Sequence, residues 1–176
     1  MRLKFSFYAI CFLFGISGSC FAQKSETLCF SSEGKFKIVQ FTDMHYVIGS
    51  DECKKVLDMV NQTLDEEKPH LVIFTGDIIT SSPQAEGWKQ VLDPVIKRQI
   101  PWAAVLGNHD DEYDLSRESI VSFLEKQPYS LVKRERNKTR GTTDYVLEIK
   151  GKTKKTEGLL YCMDSHAYSK YESIKG

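Results

Sequence analysis

Neither sign of charge dominates this sequence, in which 24 Lys and Arg residues balance 24 Asp and Glu residues. A net charge near zero excludes the overall attraction that draws strongly basic proteins to nucleic acids or acidic membrane surfaces. The most basic stretch, residues 133–140, contains no aromatic residue for base stacking, so we interpret it as a solvated loop. We therefore expect no nucleic-acid partner. The sequence carries no indication of the oligomeric state.

Long apolar runs are also scarce, and the one that occurs lies at the N-terminus. Arg2 and Lys4 precede a mainly apolar run over residues 5–16, and small residues follow up to Ala22. This order is typical of a secretory signal peptide, and the run is short for a membrane span, which needs about twenty apolar residues. We predict a signal peptide over residues 1–22, a secreted or periplasmic product, and no membrane span after cleavage. Lipid anchoring at Cys20 is the weaker alternative, because Ser17 stands where a lipoprotein signal has an aliphatic residue.

Cysteines are few, and no CxxC pair occurs among them. That absence argues against a zinc site built from thiolates. Cleavage after Ala22 would leave Cys29, Cys53 and Cys162. A bridge between Cys29 and Cys53, with Cys162 buried at a strand end, is one arrangement, but spacing alone does not decide the pairing.

The remaining sequence alternates between strand and helix patterns. After a short polar lead (residues 23–34), the apolar pattern predicts strands over 35–42, 71–74 and 101–106 and helices over 51–67, 83–98 and 116–126. Two further strands, 143–149 and 158–163, are separated by a polar turn and predict a hairpin. The order predicts an α/β fold with a parallel βαβαβ core plus a hairpin.

Each of the first three predicted strands ends in polar side chains that a simple turn does not require. In parallel α/β sheets, ligands bind beyond the carboxyl ends of the strands, where the loops converge. We therefore expect the three clusters to face one small volume. Their members are Asp43 and His45 after the first strand, Asp77 after the second, and Asn108, His109 and Asp110 after the third.

The residue types in these clusters suit transition metals. Asp43 and His45 are two positions apart, so they point the same way in an extended chain, and a mixed carboxylate and imidazole set favours a transition metal over calcium. Asp77 adds a carboxylate with two oxygens that can bridge two ions, and Asn108 adds a carbonyl oxygen. We predict two divalent or trivalent ions, of Mn, Fe or Zn, since these side chains accept all three.

The predicted chemistry is hydrolysis of a phosphate ester. Two ions roughly 3.5–4 Å apart can clamp a phosphoryl group and lower the pKa of a bound water, so that hydroxide is available near neutral pH. His109, with Asp110 as its orienting partner, would protonate the leaving group. The predicted catalytic residues are thus His109 and Asp110.

Taken in order, these motifs resemble the first three motifs of the calcineurin-like metallophosphoesterases. They read Asp43-x-His45, Gly76-Asp77 and Gly107-Asn108-His109-Asp110, and their flanks are similar to the purple acid phosphatase-like branch. The resemblance runs from about residue 35 to the end of the chain. It implies a β-sandwich flanked by helices and a dinuclear centre. By the same resemblance, Asp43 and His45 hold one ion, Asp77 bridges, Asn108 holds the other, and His109 with Asp110 assists the leaving group.

The sequence departs from that family's pattern in two ways. Thr80 stands where true purple acid phosphatases have a tyrosine, so we expect no purple iron(III) site. The family's later histidine motifs are absent, and we therefore expect residues 35–176 to be the N-terminal part of a longer domain. His70, at the start of a strand, is interpreted as structural. His166 is interpreted as a substrate contact, a replacement for a missing metal ligand, or an ordinary loop residue, and the loop residue is favoured over the replacement ligand.

Two functions follow for the chain. The first is an exported, metal-dependent phosphoesterase acting on a small phosphate ester, with a monoester as the first expectation and a diester as the next. The alternative is a catalytically incomplete fragment that acts as a non-enzymatic binding module.

Overall fold

A computed structural model describes residues 27–134 and 141–168 of the chain. The predicted signal peptide, and most of the basic stretch 133–140, lie outside these residues. Over these described residues, nine elements follow one another: β1 (Leu28–Cys29), β2 (Ile38–Phe41), α1 (Asp51–Glu67), β3 (Leu71–Thr75), α2 (Gln84–Lys97), β4 (Trp102–Val105), α3 (Arg117–Leu124), β5 (Tyr145–Lys150) and β6 (Thr156–Cys162). Within the described ranges, no helix has the length and apolar character that crossing a bilayer requires.

The predicted βαβαβ core is confirmed as a parallel sheet in the order β2-β3-β4. The central strand β3 is an unbroken apolar run because other elements cover both of its faces. Helices α1 and α3 begin where the side chains of Ser50 and Ser116 accept the backbone N–H of the residue three positions later. Helix α1 ends at Lys68 in a left-handed conformation, just before Pro69.

The predicted hairpin is confirmed as the antiparallel pair β5 and β6, and it carries a strand that the sequence did not reveal. Strand β1 pairs in parallel with β5, which gives a second sheet in the order β1-β5-β6. It lies in the segment predicted as a polar lead. Two residues are too short to show an alternating pattern, so β1 exists only because β5 offers it a partner.

The two sheets and the helices form the β-sandwich that the family resemblance implies. Successive residues of β3 point to opposite faces. Val72 and Phe74 pack in the cluster that includes the three helices, whereas Leu71 and Ile73 pack against the second sheet. Helices therefore cover one face of the parallel sheet, and the β1-β5-β6 sheet covers the other.

One buried phenol hydrogen-bonds across the gap between the sheets. The Tyr145 hydroxyl donates to the carbonyl of Ala104 (2.7 Å) and accepts from the N–H of the same residue (3.1 Å). Strand β4 is an edge strand of its sheet, so these two backbone groups would otherwise be buried without a partner. Burial also raises the pKa of Tyr145 well above its ordinary value, which keeps the hydroxyl protonated.

The structure corrects one cysteine expectation and bears out another. Cys29, Cys53 and Cys162 are all free thiols, so the Cys29–Cys53 bridge is not formed. Cys29 is exposed on β1, whereas Cys53 is buried on α1 and its sulfur accepts the N–H of Val47. Cys162 is buried at the end of β6, as expected.

Replacing Tyr145 with phenylalanine should destabilise the fold. The Tyr145→Phe change leaves both buried groups of Ala104 without a partner, which costs about 1–3 kcal/mol in the free energy of unfolding. Urea unfolding followed by circular dichroism would measure it. Tyr161→Phe is the matched control, because Tyr161 lies on the same hairpin and is 62% exposed. Equal stability of the two variants would contradict the assigned role of Tyr145.

Candidate metal centre

The loops that leave β2 and β3 remain paired beyond the strands themselves. The N–H of Asp43 donates to the carbonyl of Gly76 (3.1 Å), and the N–H of His45 donates to the carbonyl of Asp77 (3.0 Å). A parallel bridge between Tyr46 and Ile79 continues the contact. The polar residues at the two strand ends are therefore held side by side by backbone hydrogen bonds.

Three of the predicted ligands adopt a backbone conformation that is unfavourable for them. The φ angles of Asp43, His45 and Asp77 are 49°, 43° and 53°, in the left-handed region that favours glycine. Such strain persists only where surrounding contacts impose it, and it is concentrated at functional sites. Here the paired loops impose it, and the side chains turn toward one another as a result.

Two glycines let the three strand ends approach closely. A Cβ on Gly76 would lie 2.5 Å from the backbone nitrogen of Gly107, and a Cβ on Gly107 would lie 2.3 Å from the Oδ1 of Asp77. Real Cβ atoms do not come this close to other atoms. Both positions therefore have to be glycine if β4 is to bring its loop against Asp77.

The outcome of this packing is a cluster of possible metal ligands. One ligand atom from each of Asp43, His45 and Asp77 lies within 4.8 Å of the others. Asp43 and His45 are exposed, and Asp77 is buried. Two carboxylates and an imidazole that converge in this way could hold a metal ion. The identity and number of the ions stay a prediction.

The third loop lies against this cluster. The backbone N–H of His109 donates to Oδ1 of Asp77 (2.9 Å). The centroids of the His45 and His109 rings are 5.7 Å apart. The side-chain N–H of Asn108 donates to the hydroxyl of Tyr168 (3.1 Å), which leaves the carbonyl oxygen of Asn108 as its metal-binding group. The loop after β4 therefore holds Asn108 and His109 beside Asp77.

Asp110 lies in the same loop, but its carboxylate is directed into the protein. It is fully buried and accepts N–H bonds from Asp77 (2.9 Å), Ile78 (3.0 Å) and Gly107 (2.7 Å). Burial raises the pKa of Asp110, and the three N–H donors oppose that shift. The expectation that Asp110 orients the His109 ring is corrected here, because both oxygens of Asp110 are engaged by backbone groups.

The partner of the His109 ring is Glu112. Nδ1 of His109 and Oε2 of Glu112 are 2.7 Å apart. This hydrogen bond raises the pKa of His109 and lowers that of Glu112. Sequence reasoning missed Glu112 because it favoured the carboxylate adjacent to the histidine, whereas the turn of the loop brings the one three positions later to the ring.

Sequence reasoning also missed Arg117, which binds the backbone of the loop after β4. Its guanidinium donates to the carbonyls of Gly107 (2.7 Å) and Leu106 (3.3 Å) and forms an ion pair with the buried Asp164 (2.5 Å). Asp164 follows β6, so Arg117 joins the exits of β4 and β6. A basic residue at the start of a helix gave no sequence signal for this role.

The two other histidines lie outside the cluster. His70 accepts the N–H of Lys37 (2.9 Å) and stacks on Phe36, which confirms its structural role. His166 is exposed after β6, and its backbone N–H donates to Oδ1 of Asp164 (2.8 Å). A substrate contact by His166 stays a prediction.

Comparison with known proteins identifies the family. The sequence model of the calcineurin-like phosphoesterases matches residues 36–173, which is most of the chain. This protein belongs to the calcineurin-like phosphoesterase family, a family of metal-dependent hydrolases, and the resemblance drawn from its motifs is confirmed.

Three individual proteins show how far the similarity extends along the chain. The chain is 40% identical to the phosphatase DCR2 of Saccharomyces cerevisiae, in an alignment that covers 79% of this chain and 28% of that protein. It is 35% identical to the probable inactive purple acid phosphatase 14 of Arabidopsis thaliana, across 59% of this chain and 30% of that protein. With the probable inactive purple acid phosphatase 29 of the same plant it shares 29% identity, across 99% of this chain and 53% of that protein.

The chain thus spans about a third of the length of two of these relatives and about half of the third. No solved structure matches it significantly.

Replacing Gly107 with alanine should weaken metal binding. The new methyl group would collide with the carboxylate of Asp77 and move it out of the cluster, so we expect the affinity for Mn²⁺ to fall about tenfold or more, as when other groups that orient ligands are lost. Isothermal titration calorimetry would measure the affinity. Gly158→Ala is the control, because a Cβ there meets its nearest neighbour at 3.4 Å, an ordinary contact. Unchanged binding by Gly107→Ala would refute the close-approach argument.

Proposed function

We propose that this protein is an exported, metal-dependent phosphoesterase that hydrolyses small phosphate esters, with monoesters as its first substrates. The observation that carries the proposal is the convergence of Asp43, His45 and Asp77 within 4.8 Å, with the ring centroid of His109 lying 5.7 Å from that of His45. A near-zero net charge supports a small substrate over a polynucleotide.

The residues that would hold the metals follow from the cluster. Asp43, His45 and Asp77 would bind one ion, and Asp77 with the carbonyl oxygen of Asn108 would bind a second. When bound, two such ions supply Lewis acidity, which polarises the phosphoryl oxygens and makes water more acidic. Mn, Fe and Zn all suit these donors.

Side chains of the protein would supply the proton transfer and the positioning of the loops. His109 would protonate the oxygen of the departing alcohol. Its hydrogen bond with Glu112 raises the pKa of the His109 ring, so the ring stays protonated to higher pH. Asp110 acts as a positioning residue, because its three N–H bonds fix the loops that carry Asp77 and His109.

Two substitutions separate metal binding from proton transfer. Asp77→Asn should abolish metal-dependent turnover, because it removes the negative charge shared by both ions. His109→Ala should leave the metal content near normal and slow hydrolysis about 10²–10⁴-fold, the usual contribution of a general acid. Turnover of 4-nitrophenyl phosphate and metal content by plasma mass spectrometry would be measured on the same samples. Asp58→Asn, on the exposed face of α1, is the control, and full activity in Asp77→Asn would refute the metal assignment.

A second candidate is a non-enzymatic binding module. Its support is that two of the similar plant proteins are named as probable inactive phosphatases, and that the clustered ligands of the described residues suffice for one ion. Metal content per chain distinguishes the two candidates. Two ions per chain support the phosphoesterase, and one ion or none supports the binding module.

Export rests on the pattern of residues 1–22. The protein produced with its own leader in a secreting host should begin at Gln23, because small residues precede that position. N-terminal sequencing of the exported product would show this. A lipid-modified product that begins at Cys20 and disappears in a Cys20→Ser variant would instead establish membrane anchoring.

A further inference from the structure

We propose that Glu112 is the positioning residue of His109: it holds the imidazole ring so that Nε2, and not Nδ1, faces the metal cluster with a transferable proton. This inference rests on the proposed function and goes beyond it by assigning a residue that the sequence motifs do not include. Glu112 is not a member of the ligand cluster, and its carboxylate contacts the His109 ring directly.

The chemistry of the contact fixes which nitrogen carries the proton. A glutamate carboxylate is ionised near neutral pH and can only accept hydrogen bonds. At 2.7 Å from Oε2 of Glu112, Nδ1 of His109 therefore has to be the donor. The Nδ1 proton is retained whether the ring is neutral or charged, and Nε2 is the nitrogen that gains and loses a proton.

A second contact prevents the Glu112 carboxylate from rotating. The hydroxyl of Tyr168 donates to Oε1 of Glu112 (3.3 Å), while Oε2 is engaged by His109. The Tyr168 hydroxyl also accepts the side-chain N–H of Asn108 (3.1 Å), and its ring meets the His109 ring edge-on at 6.4 Å. Both oxygens of Glu112 are thus in use, and the segment after β6 supports the same loop.

The balanced step shows what this orientation provides. Water adds to phosphorus, the bond from phosphorus to the ester oxygen breaks, and that oxygen takes the Nε2 proton of the His109 imidazolium. The alcohol leaves, the water gives up one proton to solvent, and solvent returns a proton to Nε2. Throughout, the Nδ1 proton stays with Glu112. Without Glu112 the ring can rotate or adopt the other tautomer, and fewer encounters place a proton on the leaving oxygen.

The contact is better suited to orientation than to stability. The side chains of His109 and Glu112 are 37% and 40% exposed, and an ion pair in contact with water contributes little to folding. We therefore expect Glu112→Ala to leave the midpoint of urea unfolding unchanged. If Glu112 were merely structural, its replacement would change neither the tautomer of the His109 ring nor kcat.

The first readout is the tautomer of the His109 ring in the metal-free full chain. Long-range proton–nitrogen NMR spectra distinguish protonated from unprotonated ring nitrogens, and a chain with 4 histidines can be assigned with His109→Ala. At alkaline pH, where the ring is neutral, we expect the Nδ1–H form in the wild type and its loss in Glu112→Ala. Glu112→Gln should restore it, because an amide oxygen also accepts. Glu66→Ala, on the exposed side of α1, is the control.

The second readout is turnover by the metal-loaded full chain. We expect Glu112→Ala to lower kcat about 10–100-fold with little change in KM, and more for an alkyl phosphate than for 4-nitrophenyl phosphate, whose leaving group needs no acid. Adding Glu112→Ala to His109→Ala should cause no further loss, because the residues act as one unit.

Different outcomes would contradict the role of Glu112 and the proposed function. Identical His109 ring spectra in the wild type and Glu112→Ala would overturn the positioning role, as would a full additional loss of activity in the double variant. Absence of metal-dependent hydrolysis by the wild type would overturn the proposed function alone, and the ring spectra would still decide whether Glu112 orients His109.

Discussion

The carboxylate of Asp110 is the constraint on which the rest of the site depends. It lies fully buried between two strand exits and accepts backbone N–H groups from both, two from the loop after β3 and one from the loop after β4. Gln84, also buried, donates to the carbonyl of Asp110 from the start of α2. A single side chain thus fixes the spacing between the loop that carries Asp77 and the loop that carries His109.

Because the loops are held from within, the groups at their surface can adopt conformations that they would not take alone. The left-handed backbone of Asp43, His45 and Asp77 is maintained by hydrogen bonds between loops, and the absence of side chains at Gly76 and Gly107 provides the space. The division of labour is clear. Buried groups set the geometry, while the exposed carboxylate and imidazoles remain available for chemistry.

Sequence patterns were informative where a physical requirement repeats along the chain. Apolar strands and amphipathic helices follow from burial, so the βαβαβ core and the hairpin were predictable. Strand β1 was not, because two residues contain no period. The partner of His109 was assigned to the neighbouring Asp110, since sequence distance does not show that the loop turns Asp110 inward and Glu112 toward the ring.

The spacing of the ligands along the chain also bears on how the protein folds. Asp43 and Asp77 follow different parallel strands that are separated by the whole of α1. Parallel pairing is non-local and forms late relative to local helices. The unfolded chain therefore offers an ion no ready-made site, and an ion bound to the cluster would stabilise the native state by mass action without guiding the search for the fold.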